Sequence, residues 1–150
     1  MGDVHDPATR SRNMSAIRAK DTSPEFKVRK LLHRAGFRFR LHSKALPGSP
    51  DLVFAKHRAV VFVHGCFWHG HECTTFRWPK SREEFWHHKI SNNVIRDQQI
   101  LRELRESGWR VCLIWECSLR GAGRIDDADL LSSLERWLRS ASEFLELRGS

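Results

Sequence analysis

Tyrosine is absent from this 150-residue sequence, so no phenol hydroxyl can serve as nucleophile or acid. No apolar run approaches the ~18–20 residues that cross a bilayer, and Met1 to Arg18 lacks the apolar centre of a signal peptide; both predict a cytoplasmic protein. Cysteines number only four, and in a cytosolic chain they suggest thiols or metal ligands before disulfides. No repeat, low-complexity block or Gly/Ser/Pro linker divides the chain. The length excludes two large catalytic domains and predicts one domain over residues 1–150, with 1–20 as a basic N-terminal arm and 141–150 as a tail. Acidic residues are scarce at the start: residues 1–50 hold 4 against 11 basic ones, while 51–100 hold 5 against 7 and 101–150 hold 9 against 8. The net charge is +8, and the excess favours a polyanionic partner, because neutralised phosphates release counterions.

What is present reads as a small α/β protein. Ser23-Pro24-Glu25 predicts a helix start with Ser23 as N-cap, and Gly36 ends that helix. Its apolar stripe is Val28, Leu31, Leu32 and Ala35, and Glu25 begins the same inward row. Phe37, Phe39 and Leu41 alternate with Arg38, Arg40 and His42, which predicts a half-exposed strand with a basic outer face. The turn Leu46-Pro47-Gly48-Ser49-Pro50 leads into a strand at Asp51–Ala55, and a second central strand follows at Ala59–Val63, apolar on both faces. Ser81-Arg82-Glu83-Glu84 has capping-box form and opens a long helix that ends before Gly108, with Asp97 on the stripe of Val94, Leu101 and Leu104. A strand at Trp109–Glu116 and a last helix with Leu130, Leu134, Trp137 and Leu138 inward complete a mixed sheet flanked by helices.

Cys66, His71 and Cys73 place three borderline ligands within eight residues, close enough to meet at one zinc ion. Cys112 and Cys117 are the candidates for a fourth; Cys112 is mid-strand, as a buried inert thiol would be, and Cys117 at the strand end is the better choice. A Cys3His set is coordinatively full and hence structural. Asp51, at the first position of a buried strand, is either a turn cap or a ligand of a hard cation such as Mg²⁺. Asp97 on an apolar stripe needs a partner. His64 and His69 bracket the cysteine loop, and an imidazole oriented by Asp97 could accept a proton from water; spacing does not choose between them. Phe67, Trp68, Phe76, Trp78 and Trp86 lack core periodicity and suit stacking on bases, whereas Phe85 is read as core.

These residues together resemble the very-short-patch repair endonucleases, bacterial enzymes that nick DNA at T:G mismatches. The resemblance rests on Thr9-Arg10-Ser11-x-Asn13-Met14-x-Ala16-Ile17, Leu46-Pro47-Gly48-x-Pro50-Asp51, His64-Gly65-Cys66-Phe67-Trp68-His69, Phe85-Trp86, Asn93-Val94-x-Arg96-Asp97, Gly108-Trp109-Arg110-Val111 and Trp115-Glu116-Cys117. It covers about residues 5 to 125. It implies a restriction-endonuclease-like sandwich and a nick 5′ to the mismatched thymine left by deamination of 5-methylcytosine. Asp51 and the backbone carbonyl of Val63 would hold Mg²⁺, with Glu25 reaching the ion through water. His69 would be the general base, oriented by Asp97, with His64 near the scissile phosphate. Cys66, His71, Cys73 and Cys117 would hold structural zinc. Phe67, Trp68 and Trp86 would wedge into the duplex from the major groove, and Met14 would enter from the minor groove. The implied partners are mismatched duplex DNA and mismatch-repair proteins of the MutL type, with the enzyme a monomer.

Two departures stand out. Val60–Gly65 lacks the second acid and the Lys usual in the wider nuclease superfamily, so the base must come from elsewhere. Val63 stands where the family pattern has Thr, and Gly70 and Glu72 stand where it has His; a backbone carbonyl survives the first change, and neither of the others is an assigned ligand. The rival readings are a non-catalytic zinc-stabilised DNA-binding module and a zinc hydrolase with an open coordination position.

Overall fold

The computed structural model describes residues 22–73 and 76–150. The predicted arm, and Met14 with it, lies outside the described residues. In chain order come α1 (Ser23–Arg34), β1 (Arg40–Leu41), β2 (Leu52–Phe54), a 3₁₀ turn (Ala55–His57) and β3 (Ala59–His64). There follow α2 (Glu83–Glu106), β4 (Arg110–Trp115), the one-turn α3 (Glu116–Leu119), α4 (Asp127–Leu138) and β5 (Phe144–Leu147).

The five strands form one mixed sheet in the order β1-β2-β3-β4-β5, antiparallel across β1/β2 and β2/β3 and parallel across β3/β4 and β4/β5. Alternation along the strands divides the core in two. Val61, Cys112 and Ile114 face Val28 and Leu32 of α1 and Leu130 and Leu134 of α4. Val60, Phe62, Val111 and Leu113 face Leu104 of α2, with Ile100 and Leu101 beside it. Both faces are therefore covered, as the doubly apolar β3 required.

Several boundaries differ from the sequence reading. The cap of α1 is Thr22, whose hydroxyl accepts from the Glu25 amide, so Ser23 is already helical. No side chain caps α2: Arg82 occupies that position with φ of 56°, and the expected capping box does not form. Of the strand expected at residues 37–41, only Arg40 and Leu41 pair. Glu116 belongs to α3 rather than β4. The expected tail is also corrected: residues 144–147 form β5, in parallel register with Val111–Ile114. Acidic Glu143 and Glu146 obscured a strand whose apolar positions, Phe144, Leu145 and Leu147, still pack on the sheet. Phe85, read as core, is 43% exposed, because the first turn of α2 joins neither core cluster and the first buried residue of the helix is Ile90.

One turn matters most for the site. Gly48 has φ of +75°, and a Cβ there would stand 2.5 Å from Ile100 Cγ2. The chain must press against α2 at this point before Pro50 delivers Asp51 to the mouth of β2. Gly36 also has positive φ (+96°) but open space around it. Gly48→Ala should lose about 2–3 kcal/mol in chemical denaturation, combining strain and overpacking, whereas Gly36→Ala should lose only about 1 kcal/mol from strain.

Candidate functional site

A cleft of about 810 Å³ opens at the C-terminal end of β3, and two clusters of titratable groups line it. The first is Glu25, His42 and Asp51, whose ligand-type atoms all lie within 4.8 Å of one another. Glu25 comes from the first turn of α1, aimed inward by the stripe it shares with Val28 and Leu32, and is 2% exposed. Arg29, one turn later, pairs with its carboxylate, and His42 Nε2 lies 2.6 Å from Glu25 Oε2. Asp51 Oδ2 accepts a hydrogen bond from the Val63 amide at 2.7 Å.

Burial is the largest influence on Asp51 and pushes its carboxyl up to about 8; the Val63 N–H opposes this, and the nearby Glu25 charge reinforces it. A carboxyl so placed favours its protonated form, and a cation bound there would displace the proton.

The second cluster is His64, His69 and Asp97. Asp97 projects from α2, and its Oδ2 lies 2.5 Å from His69 Nδ1, supplying the partner its position demanded. The His64 and His69 rings stack flat, with centroids 3.7 Å apart and planes 2° from parallel. Burial, and then the neighbouring His69, hold His64 well below the usual imidazole range, so it stays neutral. The pairing leaves His69 Nε2 as the nitrogen free of Asp97.

Sequence alternation missed His42, which it placed on the outer basic face. The residue has φ of 47°, and this left-handed conformation breaks the two-residue period and turns the ring toward Glu25. Nothing in one sequence marks such a break.

Behind the cleft, the loop after β3 carries Cys66, His71 and Cys73, and α3 carries Cys117. Their four donor atoms lie within 4.8 Å of one another, with His71 Nδ1 3.5 Å from Cys66 Sγ and 3.6 Å from Cys117 Sγ. A tetrahedral zinc with Zn–S of about 2.3 Å would set its sulfurs about 3.8 Å apart, so the donor set fits such an ion closely. The His71 ring lies flat on Trp115 at 4.0 Å, and burial keeps it on the neutral side of its usual titration, the form that ligates. Cys112 is in the sheet core instead, and burial pushes its thiol far up.

Phe67, Trp68 and Trp86 meet edge to face, with centroids 5.0, 5.3 and 5.7 Å apart. Asn93 of α2 holds the loop by donating to the Trp68 carbonyl at 2.9 Å. The structure thus brings together the acidic, histidine, cysteine and aromatic groups singled out from the sequence; Met14 lies outside the described residues.

The raised Asp51 titration has a thermodynamic consequence. Between roughly pH 4 and 8 the folded chain without a cation keeps a proton that the unfolded chain has released, so stability falls as pH rises through that window. Asp51→Asn should remove this slope and raise the melting temperature at pH 8 by about 5 °C, while changing it little at pH 4. Equal effects at both pH values would contradict this account of the buried carboxyl.

Comparison with known proteins accords with this arrangement. The family model described as DNA mismatch endonuclease Vsr matches residues 2–75. The chain is 46% identical over 151 residues to the DNA mismatch endonuclease Vsr of Escherichia coli (strain K12), covering 99% of this chain and 97% of that protein. It is 49% identical over 126 residues to the Type II nicking enzyme V.XorIIP of Xanthomonas oryzae pv. oryzae, covering 84% and 93%. It is 44% identical over 120 residues to the Type II nicking enzyme V.NmeAIP of Neisseria meningitidis, covering 80% and 86%. With a relative matched from end to end at this level, the chain belongs to the Vsr DNA mismatch endonuclease family.

Proposed function

We propose that this protein is a Mg²⁺-dependent endonuclease that nicks one DNA strand 5′ to the thymine of a T:G mismatch and so starts short-patch repair. The observation that carries the reading is a single cleft whose walls are an Asp51-centred carboxylate site and a His69–Asp97 pair. The full-length similarity to a mismatch endonuclease supports it. The fold proposed is restriction-endonuclease-like, and the site of action is the bacterial cytoplasm; no helix among the described residues is long and apolar enough to cross a membrane.

Asp51 and the Val63 carbonyl would hold the Mg²⁺. A strand residue presents its N–H and C=O to the same neighbour, and the Val63 N–H already points at Asp51. The family's Thr-to-Val change thus leaves the backbone ligand in place, and Glu25 would act at one remove. When bound, the cation would supply Lewis-acid stabilisation of charge on the phosphate.

His69 would take the proton from the attacking water at Nε2. Asp97, accepting from Nδ1–H, fixes that tautomer and stabilises the imidazolium that forms. His64, neutral and stacked on His69, would donate a hydrogen bond to the phosphate without adding a competing positive charge. The Phe67-Trp68-Trp86 group would wedge between base pairs beside the mismatch, unstacking being offset by new contacts. Met14, on the basic arm, would enter from the other groove. Cys66, His71, Cys73 and Cys117 would hold a structural zinc that fixes the loop carrying His69, Phe67 and Trp68. MutL-type repair proteins are proposed as partners and the monomer as the working unit, since a mismatch has no two-fold symmetry.

Two variants separate binding from chemistry. Asp51→Ala should abolish nicking while retaining mismatch binding in a gel-shift assay. His69→Ala should slow single-turnover nicking about 10²- to 10⁴-fold. Wild-type cleavage by Asp51→Ala would overturn the mechanism, and a wild-type rate for His69→Ala would move the base role to His64.

A further inference from the structure

The last seven residues carry contacts that neither the sequence motifs nor the proposed reaction use. β5 lies beside β4 and brings Glu146 to the zinc side of the molecule, where its carboxylate accepts from Trp115 Nε1 at 2.7 Å. Trp115 is the residue on which the His71 ring lies. Beyond β5, Arg148 donates to the Glu72 carbonyl at 2.8 Å, within the loop between His71 and Cys73. The Gly149 amide then donates to Cys117 Sγ at 3.3 Å. Ser150 closes the path with its amide on the Gly123 carbonyl at 2.9 Å.

The backbone approach at Gly149 is close. A Cβ there would stand 2.3 Å from the Cys117 carbonyl oxygen and 2.9 Å from its carbonyl carbon. Only glycine permits the amide to reach the sulfur. This short strap therefore touches three parts of the four-residue cluster: the His71 ring through Trp115, the His71–Cys73 loop through Glu72, and Cys117 directly.

We infer that residues 144–150 are the outer layer of the zinc centre, positioning its ligands and retaining the ion, with Gly149 donating to the Cys117 thiolate and Arg148 clamping the ligand loop. The inference rests on the zinc reading of the cysteine cluster. Zinc requires the thiolate, and a thiolate is a stronger acceptor than a thiol, so an N–H aimed at sulfur stabilises the loaded form over the empty one. Coupling of this kind is reciprocal: whatever the strap contributes to zinc retention, zinc contributes equally to strap docking. The positioning residues are Arg148, Gly149 and Glu146; none is placed at the scissile phosphate.

The test uses the zinc-loaded protein, first assayed for metal content. Full-length chain, a chain ending at Leu147, Arg148→Ala and Arg148→Lys are compared for zinc release to an excess of a coloured chelator, with circular dichroism confirming that each is folded. The truncated chain should release zinc about ten- to a hundredfold faster, Arg148→Ala should release it faster than the full chain, and Arg148→Lys should recover part of the loss. After cobalt substitution, the sulfur-to-cobalt charge-transfer band of the truncated chain should shift to longer wavelength, since a thiolate without its N–H donor is easier to oxidise. Unchanged release and an unshifted band in a fully loaded truncated chain would overturn the strap. A full-length chain purified without one equivalent of zinc would instead overturn the zinc reading on which it rests.

Discussion

Asp51 and Glu25 share the end of a buried sheet, one held by the Val63 amide and the other by Arg29 and His42. Two carboxyls placed so close in a poorly hydrated position repel each other, and burial alone already drives Asp51 toward the protonated form. The surrounding fold exists in part to impose that arrangement. The Gly48 turn presses against α2 to deliver Asp51, α1 aims Glu25 inward, and the antiparallel β2/β3 pairing brings Asp51 to the end of β3, where its carboxylate accepts from the Val63 amide. A site that is costly when empty is one that a divalent cation relieves, and this links the strain of the apo fold to the cation proposed for it.

The opposite wall of the cleft is built on a separate support. His69 sits in the loop between β3 and α2, whose described residues form no helix or strand. It is held at three points: by Asp97 on α2, by the Asn93 bond to the Trp68 carbonyl, and by the cysteine cluster that joins the loop to α3. In the proposed mechanism this division would separate the two tasks of phosphodiester hydrolysis, charge stabilisation on the sheet and proton transfer on the loop. The same loop carries Phe67 and Trp68, so a wedge driven into DNA and the proposed base would move as one unit.

Much of this was legible in the sequence, because it rests on local rules. The inward placement of Glu25 followed from a helical stripe, the double cover of the sheet from the unbroken apolar run of β3, and the need for an Asp97 partner from the cost of an unpaired acid. Three features were not legible. His42 turned inward because of a single left-handed backbone angle, which no period reveals. Phe85 is exposed because α2 begins to bury its side chains only at Ile90, a matter of tertiary contact. β5 was taken for a tail because Glu146 within it and Glu143 just before it masked a short strand that is defined mainly by its partner β4. Local periodicity reports which face a residue prefers; it does not report where an element ends relative to its neighbours.

The basic first third takes its meaning from the same division. Its excess positive charge suits the phosphates of the proposed DNA partner, while most of the residues proposed for the chemistry lie in the nearly neutral middle. The central claim is that one cleft joins mismatch recognition to metal-dependent hydrolysis. It is tested most directly by incubating the protein with labelled duplexes that differ only in carrying T:G or C:G at one position, each with and without Mg²⁺. A nick confined to the thymine strand, immediately 5′ to that base, and only with T:G and Mg²⁺ together, is the predicted result; binding of the T:G duplex with no nick, or equal cutting of both duplexes, would contradict the account.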